Sequence, residues 1–390
     1  MICFDVFSFG FAAVFTGLHL ALSAGLFREW LFDRKSKRTV RPYEPSAGLK
    51  VSVIVPLRNE ERRIGGLLES LALQDYPEAE YIFVDDCSTD SGPEMLRRFA
   101  GTRERVRIIT LDVNPGINRK QYALLKGMEA ARGGLLLFTD ADCRVPPSWI
   151  GAMAARISGK TGLVIGPVFK KEGGAGFFRH YQSFDHAIRY LYLAGTVGLG
   201  AAGGGFGNNL IVSREALESI GGYAQVPPSL TEDAALVSMI RERGEYGVRA
   251  ALGRDVWVRT RGEDAWKPMI NQTLRWNNGG LFSPDLMTRV NFSVLMVSIA
   301  LGMLALPILP FVPSLWPLPA AVLLSMTLNT IACLGLFGAA LPGPAALALV
   351  QIVFTPAYFT FLTFLGFLGV KADWKGAQVE ARPWIKRSAD

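Results

Sequence analysis

Histidine and cysteine are scarce, with three His and four Cys in 390 residues. His19, His180 and His186 are too scattered for a metal triad. Cys3, Cys87, Cys143 and Cys333 form no C-x-x-C pair, which excludes a zinc site or a disulfide framework. They fit reduced thiols, with Cys87 and Cys143 small fillers beside acidic motifs rather than nucleophiles. Charge is thin as well: 19% of residues are charged, against about 25% in ordinary soluble domains. With 50% hydrophobic residues and a mean hydropathy of +0.25, the chain is too apolar for a soluble protein of its length. The net charge of +7 does not mark a nucleic-acid partner. The basic residues cluster beside apolar runs, where anionic headgroups attract them. There is no basic helix, aromatic stacking platform or zinc spacing for nucleic acid.

The longest charge-free stretches read as membrane segments. Residues 6 to 27 carry no charged side chain, enough to cross a bilayer core as a helix. Arg28, Arg34, Lys35, Lys37, Arg38 and Arg41 follow, whereas only Asp5 precedes. The positive-inside rule puts that flank, and the domain after it, in the cytoplasm. A cleaved signal peptide would carry its basic residues before the apolar run, so this one is an anchor. Three further spans are expected at about 291–312, 317–338 and 345–369, separated by Pro-rich breaks at Pro313–Pro319 and 341–344. Three crossings from a cytoplasmic start leave the tail outside, while Lys371, Lys375, Arg382, Lys386 and Arg387 favour inside. Three spans is the reading taken, because the positive-inside bias is weaker for late segments. The expected organisation is an anchor at 1–30, a basic linker at 31–49 and a catalytic domain at 50–260. An interfacial helix region at 261–289, membrane spans at 290–370 and a basic tail at 371–390 follow.

Between the apolar ends the chain alternates strand and helix patterns, which argues a parallel sheet covered by helices. Val51 to Pro56 is a β-branched run stopped by Pro, leading to Arg58-Asn59-Glu60, with Ile64, Leu67, Leu68 and Leu71 following at helical spacing. Tyr81 to Val84 leads into Asp85-Asp86-Cys87-Ser88-Thr89-Asp90, whose Asp90 suits a helix cap. Val106 to Thr110 reads as a strand and Lys120 to Ala131 as a helix. The apolar run Leu135 to Thr139 then ends on Asp140-Ala141-Asp142. Open α/β sheets bind ligands at the carboxyl edge of their strands. Two carboxylates one residue apart can face one small volume there, with Ala141 turned away. They repel unless a cation lies between them, and a hard ion such as Mg²⁺ or Mn²⁺ shared with a substrate diphosphate is the natural occupant. An isolated D-x-D reads first as a strand end with two solvated Asp residues, so further motifs must decide.

Five segments in order do so: VSVIVPLRNE, VDDCSTD, the 120–134 stretch before FTDADC, Thr231-Glu232-Asp233 and QTLRW at 272–276. Together, over roughly residues 50 to 285, they resemble a family 2 glycosyltransferase. The resemblance implies an α/β fold of the GT-A type, a mixed sheet covered by helices and flanked here by transmembrane helices. The terminal Q-x-x-R-W resembles the membrane-bound branch of ceramide glucosyltransferase-like and cellulose or hyaluronan synthase-like enzymes.

The resemblance also assigns roles. Pro56 and Glu60 match positions that contact the nucleoside of a nucleotide-sugar donor, and Asp86 matches the carboxylate on a uracil edge. Asp86 is otherwise a turn residue bonding its own backbone. Lys120 is placed to meet the diphosphate, or is a solvated helix-start lysine. Asp140 is expected by the ribose and metal, and Asp142 as the direct metal ligand. Asp233, with Glu232 beside it, matches the general base; the bland alternative is a cap on the helical stretch Ala234 to Arg243. Gln272, Arg275 and Trp276 share one helix face by their i, i+3, i+4 spacing. Arg275 is expected at the diphosphate and Trp276 beside the acceptor, or both at headgroup depth.

One motif misleads. Gly198, Gly200 and Gly203 match G-x-G-x-x-G, but that fingerprint needs a strand before it and a helix after it. Here the aromatic stretch Phe177 to Leu193 precedes, and Asn209 to Val212 reads as a strand, so a Rossmann site is rejected. A Gly-rich loop bordering the acceptor pocket is expected, as in the related enzymes.

The expected function is inverting transfer of a sugar, glucose, from a uridine-diphosphate donor to the hydroxyl of a membrane lipid, in a bacterial plasma membrane. A processive polysaccharide synthase is the alternative. Four spans do not easily enclose a hydrated polymer channel, whereas a lipid acceptor needs none. Ala372-Asp373-Trp374-Lys375-Gly376 also resembles the closing W-K/R-G element of ceramide glucosyltransferase-like proteins. An inactive membrane scaffold is disfavoured by the intact carboxylate set and QTLRW.

Overall fold

The computed structural model describes residues 2–39, 51–101, 103–116, 118–229, 231–374 and 377–379. Most of the expected linker, and the basic residues Lys375, Arg382, Lys386 and Arg387 with Gly376 of the W-K/R-G element, lie outside those residues.

The element order is α1 (Ile2–Thr39), β1 (Val51–Leu57), α2 (Ile64–Ala72), β2 (Ala79–Asp86), α3 (Gly92–Ala100), β3 (Val106–Leu111), α4 (Arg119–Ala130), β4 (Leu135–Phe138), β5 (Cys143–Arg144), α5 (Trp149–Ala154), β6 (Thr161–Ile165), β7 (Val168–Glu172), α6 (Gly176–Gly198), β8 (Leu210–Ser213), α7 (Arg214–Ser219), α8 (Glu232–Arg243), β9 (Gly247–Ala250), β10 (Val258–Arg261), α9 (Trp266–Leu281), α10 (Leu286–Ala305), α11 (Pro317–Phe337), α12 (Ala346–Phe367), β11 (Ala372–Trp374) and β12 (Ala377–Val379). These group into two compact units. One takes α1 up to Gly25, Lys171–Gly195 and the described residues from Gly262 on; the other takes Leu26–Lys170 and Thr196–Arg261.

The second unit is built on a seven-stranded sheet in the order β3-β2-β1-β4-β8-β6-β9. β1, β2, β3 and β4 run parallel, as the alternating pattern predicts, with Ile54 opposite both Ile82 and Phe138. β8 is antiparallel to both β4 and β6, pairing Leu210 with Phe138 and Ile165, so the sheet is mixed. Reversal of β8 brings its beginning to the edge where β1, β2 and β4 end. A small second sheet, β5-β10-β7, lies after that edge. The strands are buried on both faces because helices cover them: Val53, Ile54, Val55, Phe83, Leu136 and Leu137 have no exposed surface. Where α4 crosses the sheet, a Cβ at Gly127 would meet Ile54 Cγ2 at 2.5 Å, so only glycine permits that approach.

The organisation departs from expectation in two places. α1 does not stop near residue 30 but continues to Thr39, through the first part of the expected linker. Glu29 and Asp33, one turn apart, explain why. Glu29 accepts the Ala250 N–H at 2.8 Å and pairs with Arg249 at 3.0 Å. Asp33 accepts the Leu252 N–H and pairs with Arg156, whose side chain is fully buried between Asp33 and Asp255. The helix persists because both acids have partners in the second unit. Also, Lys171–Gly195, expected inside the 50–260 domain, groups with the other unit.

The first unit contains α10, α11, α12 and the part of α1 up to Gly25. Among the described residues, four helices are long and apolar enough to cross a membrane: Asp5–Ser36, Leu286–Ile308, Pro313–Ala340 and Ala346–Phe367. These lie where the charge-free runs place them. α10, α11 and α12 pack on one another, and α9 packs on α10 and α12. Trp266, at the start of α9, sits among Phe178, Tyr181, Phe354 and Tyr358.

A candidate glycosyl-transfer site at the carboxyl edge of the sheet

The loops after β1 and β2 are laced together. Asn59, held at φ +56, accepts the Thr89 N–H at 2.8 Å and donates its own N–H to Ser88 Oγ. Glu61 and Asp90 exchange bonds through the Ser91 and Glu61 N–H groups. Asp90 also accepts the Gly92 N–H, but the cap position of α3 belongs to Ser91. Pro56 lies in β1, and Glu60 starts the next turn, its carbonyl accepting the Arg63 and Ile64 N–H groups.

Of the adjacent pair ending β2, Asp85 bonds backbone, accepting the Ser88 N–H at 3.1 Å. Asp86 does not. Its buried carboxylate takes Arg119 Nε at 3.0 Å and Nη2 at 2.7 Å, with Asn114 Nδ2 at 2.8 Å. Arg119 and Asn114 were missed in the sequence. Asn114 sits in the β3–α4 connection and Arg119 starts α4, and no spacing rule links them to a strand end some thirty residues earlier.

β4 stops at Phe138, and Asp140 to Asp142 form a turn closed by the Cys143 N–H on the Asp140 carbonyl at 3.1 Å. Ala141 is buried in the core, whereas Asp140 and Asp142 are half-buried on the other side. The alternation read from D-x-D therefore holds. Burial raises the Asp142 pKa first, Asp140 adds to it, and the Thr260 hydroxyl on β10 opposes.

Lys120 ties this turn to the next motif. Its Nζ lies 2.7 Å from Asp140 Oδ1 and 3.6 Å from Glu232 Oε1. Burial works against its charge, but the two carboxylates outweigh it and raise its pKa. Asn118 caps α4 by accepting the Gln121 N–H, and its amide also reaches Glu232 at 3.2 Å. Glu232 and Asp233 fall within the first turn of α8, which starts two residues before the expected Ala234.

Asp233 accepts its neighbour's Ala234 N–H and the Gly207 N–H, both at 2.8 Å. A Cβ at Gly207 would lie 3.2 Å from Asp233 Cβ and 3.4 Å from its Oδ2, so the glycine lets the loop close onto the carboxylate. Burial raises the Asp233 pKa to about 6, with Glu232 adding and Lys120 opposing. A cap has its pKa lowered by the helix N-terminus, whereas burial and the neighbouring Glu232 raise that of Asp233. The Gly-rich loop runs from the end of α6 into β8, helix before and strand after, as the rejection of a Rossmann site requires.

Gln272, Arg275 and Trp276 fall on α9 and are half-buried together, while Thr273, Leu274, Asn277 and Asn278 are buried. They belong to the first unit, and the carboxylates belong to the second. His186 meets the Trp276 ring edge-on at 5.2 Å, and the Arg189 guanidinium lies 5.6 Å from its centroid.

Among the described residues no three His, Cys, Asp or Glu converge on a metal position. The Asp140–Asp142 pair nevertheless suits a hard divalent cation. Both are oxygen donors, and the Asp140 charge opposes ionisation of Asp142, a repulsion that a cation relieves.

A family model described as Glycosyl transferase family 21 matches residues 14–384. The chain belongs to that family. Family 21 is the ceramide glucosyltransferase family, the branch to which the Q-x-x-R-W resemblance pointed under family 2. That family is one of glycosyltransferases, and four helices among the described residues are long and apolar enough to cross a membrane. The chain is 31% identical over 184 residues to glycosyltransferase AglE of Haloferax volcanii, covering 44% of this chain and 55% of the relative. It is 24% identical over 250 residues to the β-monoglucosyldiacylglycerol synthase of Synechocystis sp., covering 58% and 51%. The chain thus spans about half the length of these curated relatives. The mannosyltransferase PcManGT of Pyrobaculum calidifontis, solved with GDP-mannose and Mn²⁺, superposes with a TM-score of 0.51 at 21% identity, over 90% of this chain and 98% of that one. That likeness shows the GT-A fold.

Proposed function

We propose that this family 21 enzyme transfers one glucosyl group from a uridine-diphosphate donor to the hydroxyl of a membrane lipid, with inversion, giving a β-glycolipid. The observation that carries the reading is the setting of Asp233. It is a carboxylate near neutrality in pKa, held by the Gly207 N–H beside the Lys120, Asp140 and Glu232 cluster.

Asp233 takes the proton of the acceptor hydroxyl as that oxygen attacks the anomeric carbon opposite the diphosphate. The carbon–oxygen bond to the diphosphate breaks, and the nucleotide leaves with the electron pair. One displacement turns an α-linked donor into a β-glycoside, through a transition state of the oxocarbenium type that hydrolases share. Pro56, Glu60 and Asp86 are assigned to the nucleoside, and Lys120 to the diphosphate. For the base to meet Asp86, the Arg119 contact must rearrange or turn toward the ring. Asp140 and Asp142 would hold Mg²⁺ or Mn²⁺, which when bound supplies Lewis-acid stabilisation of charge on the departing diphosphate. Arg275 is assigned to the diphosphate, and Gln272 and Trp276 to the acceptor.

A lipid acceptor is supported by the four apolar helices among the described residues, a number that does not readily enclose a hydrated polymer channel, and by a relative named as a glucosyldiacylglycerol synthase. The catalytic domain is assigned to the cytoplasmic side of a bacterial inner membrane, from the basic flank after the first apolar run. The test is incubation of purified enzyme with labelled UDP-glucose and total membrane lipid. Label should move into the organic phase, and a water-soluble ladder of oligosaccharides without lipid would promote the processive synthase instead.

A further inference from the structure

In the first unit, α6 turns Tyr181, Asp185 and Arg189, each four residues apart, to one face. Asp185 has no exposed surface, and its Oδ2 accepts Arg189 Nε at 2.9 Å. The pair is joined through Nε, leaving three buried polar atoms without hydrogen-bond partners among the described residues: Asp185 Oδ1, Arg189 Nη2 and Tyr181 Oη. Tyr358 is otherwise, its hydroxyl 2.6 Å from Thr273 Oγ1. An ion pair serving only as core packing would satisfy these atoms, since a buried carboxylate oxygen or guanidinium N–H without a partner is strongly unfavourable. The guanidinium also lies 5.0 Å from the Phe359 ring centroid and 5.6 Å from that of Trp276, so two aromatic rings hold it in place. Neither ring hydrogen-bonds its N–H groups. The pair is not sealed off either: the Arg189 side chain is 13% exposed and Trp276 is half-buried.

We propose that Asp185 and Arg189, beside the Trp276 ring, bind the uncharged, hydroxylated head of a lipid. The pair sums to zero charge and offers one acceptor and one donor. A hydroxyl can donate to Asp185 Oδ1 and accept from Arg189 Nη2 at the same time. A phosphate head would gain no net attraction from a pair of zero charge, and its oxygens cannot donate to Asp185 Oδ1. The Trp276 ring offers an apolar face to the carbons of the head. This site rests on the reading of the enzyme as a lipid glycosyltransferase, and it narrows the acceptor to neutral lipids.

The test uses the full chain in detergent micelles with fluorescent diacylglycerol and, separately, fluorescent phosphatidic acid. Wild type should bind diacylglycerol at least about tenfold more tightly than phosphatidic acid. Asp185→Asn and Arg189→Gln should weaken diacylglycerol binding by about tenfold or more while binding of UDP stays unchanged. In the transfer assay the same variants should raise the acceptor KM rather than the donor KM, with Arg189→Lys partly restoring it. Unchanged diacylglycerol affinity in folded, UDP-binding variants would overturn the site, as would equal affinity of wild type for phosphatidic acid. Tight, variant-sensitive diacylglycerol binding without any sugar transfer would uphold the site and overturn the proposed reaction.

Discussion

Lys120 and Asp140 form an ion pair at 2.7 Å that joins the first turn of α4 to the acidic turn after β4. The same ammonium reaches Glu232 and lowers the pKa of Asp233, so one cation links the assigned donor and base positions.

Lys120→Gln should therefore do two things. It should raise the donor KM, because the positive charge assigned to the diphosphate is gone. It should also move the acid limb of the pH–rate profile upward, because Lys120 opposes the burial and the Glu232 charge that raise the Asp233 pKa. A profile of kcat/KM against pH for both enzymes checks this; an unmoved acid limb would dissociate Lys120 from the base.

Asp233 must be ionised to accept a proton, so activity should fall as pH drops through about 6. Asp233→Asn should slow transfer by roughly 10²–10⁴-fold, the usual contribution of such a group, with donor affinity retained. Stability should move the other way. A folded pKa above the ordinary carboxylate value gives a contribution that is full below about 4 and lost as pH rises through the folded value. Above pH 6, Asp233→Asn should melt at a higher temperature than wild type. Thermal melts at pH 4.5 and 7.5 separate this from a capping role, in which the variant would be destabilised.

Chelation should abolish transfer, with Mn²⁺ or Mg²⁺ restoring it. Asp142→Asn should stay inactive across practical metal concentrations, yet fold, since it removes a group whose ionisation burial and Asp140 both oppose. Full turnover in excess chelator would remove the metal from Asp140 and Asp142.

Arg156 has no exposed side-chain surface and lies between Asp33 and Asp255. Asp33→Ala should destabilise the protein by roughly 3–5 kcal/mol, the cost of leaving a buried charge short of its partner. The double variant Asp33→Leu with Arg156→Met should recover most of that loss, which a denaturant titration would read.

Much of this was legible in residues 51 to 142. Strands buried on both faces are continuous apolar runs, and their helices carry the 3.6-residue period. Ala141 flanked by two Asp residues gave the geometry of the acidic turn. The apolar helices were legible from missing charge alone. What escaped depends on contacts distant in sequence. Arg119 on Asp86 joins a helix start to a strand end, and Glu29 and Asp33 look like ordinary flank charges until β9 and Arg156 meet them. The reversed β8 reads like any other short apolar strand, because direction leaves no mark on composition. The grouping of Lys171–Gly195 with the membrane-type helices rests on aromatic packing around Trp266, which no local pattern announces.

The most direct measurement is the structure of the product. Purified enzyme, UDP-glucose and diacylglycerol should give an organic-extractable lipid carrying a single glucose, and its anomeric proton should show the large coupling of a β-linkage by NMR. An α-linked sugar would contradict the single displacement assigned to Asp233, and a product with several sugars or no lipid would contradict the transfer itself.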